Sequence, residues 1–483
     1  MNTPIVDFVA RYAQSGTSRL HMPGHKGQQF LGFEPYDITE IKGADELYEA
    51  EGIIAQSEAN ATKLFGTAHT YYSTEGSSQC IRAMLFLALQ AAPKTGERPV
   101  LLAARNAHKA LLYAAALQDF DVRWLWPAPE DSGALCSCPV RPDALKAALD
   151  ALSREGKKPF GVYLTSPDYL GGVQDIAALS AVCKAEGVPL LVDNAHGAYL
   201  RFLPTGSRHP IALGAAMCCD SGHKTLPVLT GGAYLHLGES APIKEESAVR
   251  NALALFGSTS PSYLILQSLD RCNRYLAEGY PIRLMQCMGG LQRLRRELNE
   301  FAQQAGAVRD FALDGSENDS LREPLKLTLD ASALNMTGTA LAEELRRSGI
   351  ECEYADPRYL VLMFTPENPP RDYEQLETAI RNLCENLHVM ADADNTDEAA
   401  CAAEFTALME QAETRRTIRQ AVFAPQERIP CRDALGRVCA MPAVSCPPAI
   451  PIAVSGELIT PAAVKLFERY VIETVEVTLS VKA

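Results

Sequence analysis

The chain has 483 residues, 47% hydrophobic and 22% charged, with 45 Lys plus Arg against 59 Asp plus Glu and a formal charge of −14 at pH 7. That length and apolar content can fill one large core and one or two smaller ones, and the acidic balance argues against a nucleic-acid surface. No apolar run approaches the roughly 20 residues of a membrane span, and "MNTPIVDFVARYAQSG" lacks the zones of a signal peptide, so a soluble cytoplasmic protein that binds neither membrane nor nucleic acid is expected.

Residues 1–55 read as an N-terminal arm. From residue 76 helix-period and strand-like segments alternate. "SSQCIRAMLFLALQAA" has the apolar content of a buried helix, followed by short apolar runs at 99–104, 122–127, 160–167, 189–195, 215–222 and 231–238. Helical stretches such as "DALKAALDALSREG" and "DIAALSAVCKAEG" lie between several of them, the second closed by Gly187 at a C-cap position. This alternation predicts an α/β large domain over 56–280 built on a mostly parallel sheet. Past residue 281 a charged helix, then "PLKLTLD", "GTALAEELRRSGIECEYAD" and "YLVLMFTP", predict a smaller α/β domain over 281–395. A polar, alanine-rich connection near 390–403 leads to a C-terminal domain, 396–483, carrying the proline-rich "CPPAIPIAVSGE". The 14 cysteines are scattered or paired without a matching second pair, as at Cys136/Cys138 and Cys218/Cys219, so reduced buried thiols are expected and no metal.

Open sheets of this kind gather ligands beyond the carboxyl ends of their strands. The polar residues there are His108, Ser166, Tyr169, Asp193, His196, Ser221, His223 and Lys224. A pyridoxal phosphate enzyme needs a Schiff-base lysine, a carboxylate at the pyridine nitrogen, phosphate donors and a group packed on the ring. Lys224 and Asp193, 31 residues apart across one predicted strand, supply the first two. Gly76, Ser77 and Ser78 open a long helix whose free N–H groups and dipole suit a phosphate. His108 is placed to stack on one ring face, Ala195 is small enough for the other, and His223 is a further phosphate donor; Lys224 or His223 is the candidate for returning a proton during the reaction. Each residue has an ordinary alternative, as N-cap, strand-end carboxylate or core histidine, but their chain order at corresponding strand ends is hard to obtain by chance.

The segments "HMPGHKG" (21–27), "DITEIKGADELYEAEGII" (37–54), "RNAHK" (105–109), "TSPDYLGG" (165–172), "VDNAHGAYL" (192–200), "SGHKTLPVLTGGAYLH" (221–236) and "STSPSYLILQSLD" (258–270) resemble the Orn/Lys/Arg decarboxylase family of fold-type I pyridoxal phosphate enzymes. The resemblance implies an aspartate aminotransferase-like fold that decarboxylates arginine, lysine or ornithine in polyamine metabolism. It implies a homodimer or dimer-based oligomer, with Ser258, Thr259 and Ser260 reaching the neighbouring subunit's cofactor phosphate. It also makes Glu457 the candidate acceptor for the substrate's side-chain cation, with Asp45 and Glu46 as weaker alternatives. The chain resembles the short members of the family, without a receiver-like N-terminal domain. It departs from the family pattern at Glu75, at "CPPAIP" and at "VSGE". Two other readings stay open: an aminotransferase or other lyase on the same fold, with Arg358 available for a carboxylate, and a non-catalytic cofactor-binding protein.

Overall fold

A computed structural model describes residues 1–94, 96–128, 131, 134–313, 321–387, 396–441, 443–444 and 451–479. Seven strands form the principal sheet: β1 (His69–Ser73), β2 (Val100–Ala104), β3 (Asp121–Leu125), β4 (Val162–Thr165), β5 (Leu190–Asp193), β6 (Met217–Asp220) and β7 (Ala233–Leu237), in the order β1-β7-β6-β5-β4-β2-β3. The six apolar runs thus become β2 to β7. β4, β5 and β6 pair in parallel, with Thr165 opposite Asp193 and Asp193 opposite Cys219. β7 runs antiparallel to both β6 and β1, and β1 was not foreseen from the sequence. Every residue of β5, β6 and β7 is buried, as expected of strands covered on both faces, which therefore read as continuous apolar runs.

The chain folds as two compact units that interleave along the sequence. The first comprises Met1–Leu101, Leu149–Ser166 and Ile176–Arg283; the second comprises Leu102–Ala148, Pro167–Asp175 and Leu284–Ala483. Within the first, the helix Gly76–Ala91 packs on β6 and β7. The helix Ile176–Ala185 is followed by Gly187 in the left-handed region, φ +61°, where the sequence placed a C-cap. The N-terminal helix Pro4–Gln14 is anchored by Asp270, whose Oδ2 accepts the N–H groups of Ile5 and Val6 at 2.9 and 3.0 Å. These are donors that a helix start leaves without intrahelical partners.

In the second unit, β8 (Lys326–Asp330), β9 (Tyr354–Ala355) and β10 (Tyr359–Met363) form an antiparallel sheet in the order β8-β10-β9. The helix Gly338–Arg347 lies between β8 and β9 in the chain and packs on β9 and β10. Farther on, the strands Gln426–Pro430 and Thr474–Thr478 pair antiparallel. The expected connection near 390–403 needs correction: a helix spans Thr396–Gln411. Its buried Phe405 packs edge-on against Trp126, with ring centroids 6.0 Å apart, and this packing, with the helix-favouring Ala and Glu residues, outweighs the weak amphipathic pattern.

Candidate active site

The parallel register of β4, β5 and β6 brings the ends of three strands level, so residues 194–196 and 221–224 leave the same edge of the sheet. Asp193, the last residue of β5, is 3% exposed. Its Oδ2 accepts the hydroxyl of Tyr163 at 3.0 Å and its Oδ1 accepts the N–H of Ala195 at 3.2 Å. The Cys219 thiol lies 3.7 Å from Oδ1. Burial, followed by the charge of Asp193, holds the Tyr163 phenol well above its usual range, so it remains a donor. Tyr163 escaped the sequence reading, since one tyrosine in a buried strand gives no sign of what it faces.

Lys224 lies on the one-turn helix Gly222–Thr225 that follows β6. Its Nζ is 2.9 Å from Nε2 of His196. His223 faces the other way, with Nδ1 3.2 Å from the carbonyl oxygen of Gly232. Ser221, buried just before this helix, donates its hydroxyl to Ser77 Oγ at 2.8 Å. That bond joins the lysine-bearing turn to the first turn of Gly76–Ala91.

The entry to that helix is shaped by two glycines. Gly76 has φ +70°, a conformation open to glycine at little cost, and its N–H donates to Gly231 O at 2.7 Å. A Cβ on Gly231 would stand 2.9 Å from the carbonyl oxygen of Thr74. Gly76, Ser77 and Ser78 are half-buried at the positive end of the helix, and Glu75 points to solvent. The buried Thr74 hydroxyl has no hydrogen-bond partner among the described residues, an acceptor vacancy that an anion at the helix N-terminus would fill. Thr74 is a second residue that sequence reasoning missed, although it stands in the quoted run "TEGSS".

Ser258, Thr259 and Ser260 are exposed, in the loop before the helix Tyr263–Ala277; Ser258 Oγ accepts the N–H of Ser260 at 3.1 Å. The preceding Gly257 has no room for a side chain, because a Cβ would lie 2.0 Å from the Tyr48 hydroxyl and 2.2 Å from Gln79 Nε2. The loop therefore starts against the second turn of Gly76–Ala91.

His108 belongs to the second unit, where it N-caps the helix Lys109–Gln118, its Nδ1 accepting the N–H of Ala110 at 3.1 Å. Glu457, also in the second unit, is buried and grips Arg105. Oε1 and Oε2 accept Nη1 and Nη2 at 2.6 and 2.8 Å, and Oε2 also accepts the N–H of Val454 at 2.9 Å. The Arg105 guanidinium lies 5.0 and 4.6 Å from the ring centroids of Trp124 and Trp126. Asp45 accepts backbone N–H groups of Glu46, Glu51, Gly52 and Ile54, a turn and helix-start role. Arg358 pairs with Asp330, Nη2 to Oδ2 at 2.8 Å. Residues 446–450 of "CPPAIP" lie outside the described residues.

On the far side of β6, Asp220 Oδ2 faces Nε2 of His209 at 3.0 Å and of His236 at 3.2 Å, and Oδ1 accepts Asn194 Nδ2 at 2.6 Å. Burial opposes ionisation of Asp220, but the two imidazoles outweigh it and hold the carboxyl well below its usual range. His209, Cys218 and Asp220 bring three atoms that could bind a metal within 4.8 Å of one another, a grouping the sequence reading did not foresee. The described cysteines are free thiols. Among the described residues, no helix is long and apolar enough to cross a membrane.

A lysine and a buried carboxylate from adjacent parallel strands, beside a helix start with an unsatisfied hydroxyl, fit pyridoxal phosphate: amine for aldehyde, carboxylate for ring nitrogen, donors for phosphate. The fold and this site define a fold-type I pyridoxal phosphate enzyme. The chain belongs to the Orn/Lys/Arg decarboxylase family, whose major-domain model matches residues 3–371, and it is a decarboxylase of basic amino acids that uses this cofactor. An uncharacterized protein, YaaO, of Bacillus subtilis is 28% identical over 98% of this chain and 95% of its own length. An arginine decarboxylase of the same organism is 28% identical over 95% of this chain and 91% of its own. Among solved structures, lysine decarboxylase A from Pseudomonas aeruginosa superposes with a TM-score of 0.80 at 18% identity, covering 99% of this chain and 80% of that one. The Francisella novicida lysine decarboxylase gives 0.79 at 17%, covering 99% and 81%.

Proposed function

We propose that the enzyme prefers arginine, with lysine next and ornithine last, and that its product enters polyamine metabolism in the cytoplasm. The relatives named arginine decarboxylase support placing arginine first, since those from Bacillus subtilis and Halalkalibacterium halodurans match 95% of the chain. The Pseudomonas aeruginosa lysine decarboxylase matches 54%.

Bound pyridoxal phosphate supplies a conjugated, protonated ring that accepts the electron pair released when the carboxylate leaves. In our reading Lys224 anchors the cofactor covalently, and Asp193, steadied by Tyr163 and Ala195, keeps the proton on the ring nitrogen. Thr74, Gly76, Ser77, Ser78, Ser221 and His223 hold the phosphate, joined by Ser258, Thr259 and Ser260 from a partner subunit of a homodimer. Ala195 bounds one ring face and His196 lies beside Lys224, and the motif "RNAHK" makes His108 the candidate for the other face. The negative charge of Glu457 is already balanced by Arg105, which weighs against its pairing directly with the substrate's side-chain cation. The observation that carries the reading is the convergence of Lys224, Asp193 and the Thr74–Ser78 turn at one edge of the sheet. Arg358, the feature that kept an aminotransferase open, is engaged by Asp330, which favours decarboxylation.

The test is release of labelled carbon dioxide from carboxyl-labelled arginine, lysine, ornithine and leucine. Release with arginine foremost supports the proposal. Equal release from leucine, or keto acid in place of carbon dioxide, overturns it.

A further inference from the structure

Lys224 Nζ and His196 Nε2 stand 2.9 Å apart in a place where His196 is only 4% exposed. Two full positive charges at that distance, largely out of water, repel strongly. The pair therefore shares one proton: an ammonium donates to Nε2, or a neutral amine accepts from Nε2–H. The contact follows from the register, because β5 and β6 end level and His196 lies three residues past Asp193 while Lys224 lies four past Asp220. The other titratable groups on the surrounding elements have their own arrangements. Asp193 is held by Tyr163 and Ala195 with Cys219 beside it, and Asp220 by Asn194, His209 and His236. His223 faces Gly232 O. On the turn Ala198–Phe202, Tyr199 is buried, and the Arg201 guanidinium lies at Gly66.

We propose that His196 is the proton-exchange partner of Lys224, a role that rests on Lys224 being the cofactor lysine. For Lys224 to act as a nucleophile, its ammonium must lose a proton, and Nε2 of His196 takes it. When the bond from the α-carbon to the carboxylate breaks, carbon dioxide leaves without the electron pair, which the cofactor would take up. One proton must then reach that carbon. Lys224 delivers it from Nζ, and His196 restores it from Nε2–H, itself recharged from solvent. His196 thus acts through Lys224 and sets its charge at each stage.

The test uses holoenzyme carrying His196→Gln or His196→Ala. Glutamine fills similar space and can bond Nζ but cannot exchange a proton, so it carries the test if the alanine variant loses stability or cofactor. Expected are retained cofactor, a borohydride-reducible link still at Lys224, a kcat lowered about 100-fold and a KM within about twofold. The visible absorption of the bound cofactor should titrate at a different pH from the parent, one limb of the kcat–pH profile should disappear, and imidazole should restore turnover to His196→Ala in proportion to the basicity of the imidazole added. A parent-like kcat and titration in His196→Gln overturns the proposal, as does a lower kcat with an unchanged pH profile and no rescue, which would mark His196 as packing alone. Failure of the underlying reading looks different: in the parent protein, reduction and peptide mapping would find the cofactor on another lysine.

Discussion

The hydroxyl of Tyr163 reaches across from β4 to the carboxylate of Asp193 at the end of β5, 3.0 Å away. Both groups are buried, and the phenol is kept protonated by its surroundings. Asp193 therefore presents its carboxylate in one fixed orientation. Tyr163→Phe removes one of its two strong donors and leaves the Ala195 N–H. Turnover should fall about tenfold, in line with roughly 1.5–3 kcal/mol for a hydrogen bond to a charged group. Asp193→Asn should lower it a further order of magnitude or more, about 100-fold overall, with an unchanged circular dichroism spectrum. Parent-like kcat in Tyr163→Phe would reduce the phenol to a filler of space.

Lys224→Ala should abolish both turnover and the borohydride-reducible link, while the protein still folds, because Lys224 is half-exposed and lies on a one-turn helix outside the core. Mass spectrometry of reduced, digested parent protein should find the adduct in the peptide containing "SGHKT".

Glu457→Gln tests the buried pair with Arg105. Removing the negative charge leaves a guanidinium with no exposed surface uncompensated, which costs about 3–5 kcal/mol in comparable buried pairs. The stacking of Arg105 on Trp124 and Trp126 offsets part of that. Urea unfolding should place Glu457→Gln well below the parent, and the double variant Arg105→Met, Glu457→Leu above either single one. A Glu457→Gln midpoint equal to the parent would show that water or another group screens Arg105.

Asp270 predicts a pH dependence. Burial pushes its carboxyl up to about 6, against the pull of Ser57 and the N–H groups of Val6 and Ile5. The folded protein therefore binds a proton there that the unfolded chain has released above about pH 4. Between about pH 4 and 6 the unfolded state holds fewer protons at this site, so its contribution to stability declines as pH rises. A shift of that size corresponds to about 3 kcal/mol at most. The stability difference between the parent and Asp270→Asn should accordingly move against the parent from pH 4 to pH 6.5 and level off above. A difference flat across that range would show that the carboxylate is as well solvated folded as unfolded.

The exposed loop 258–260 predicts complementation. Co-expressing Lys224→Ala with Ser260→Asp, each inactive alone, should restore about a quarter of all sites if the loop serves the partner subunit's cofactor, because each mixed dimer then has one site with both lesions and one with neither. No recovery, with both variants shown to be dimeric, would place the loop at its own subunit's site.

What could be read from the residues alone was whatever local order encodes. The apolar runs at 160–167, 189–195 and 215–222 became adjacent parallel strands, and that alone put Asp193 and Lys224 at one edge, because parallel strands end together and loops follow them. β1 was missed because "HTYYS" has no apolar run. Its burial is made possible by distant partners: Tyr72 bonds Ser57 and Asn273, the latter 201 residues away. The helix Thr396–Gln411 was missed for the opposite reason. Its composition favours helix, but its apolar stripe is weak, and only the packing of Phe405 on Trp126 shows which face is inside.

The sequence by itself determined where the candidate lysine, carboxylate and helix start fall relative to the strands, since each sits at a position marked by a change of period. Only the tertiary structure decided what those groups touch. It put His196, not His223, beside Lys224, gave Asp193 the hydroxyl of Tyr163, and joined Glu457 to an arginine 352 residues earlier in the chain. The physical reason is that periodicity records which side of an element is buried, whereas the partner of a buried charge is set by which element lies across from it, at a register no local pattern records.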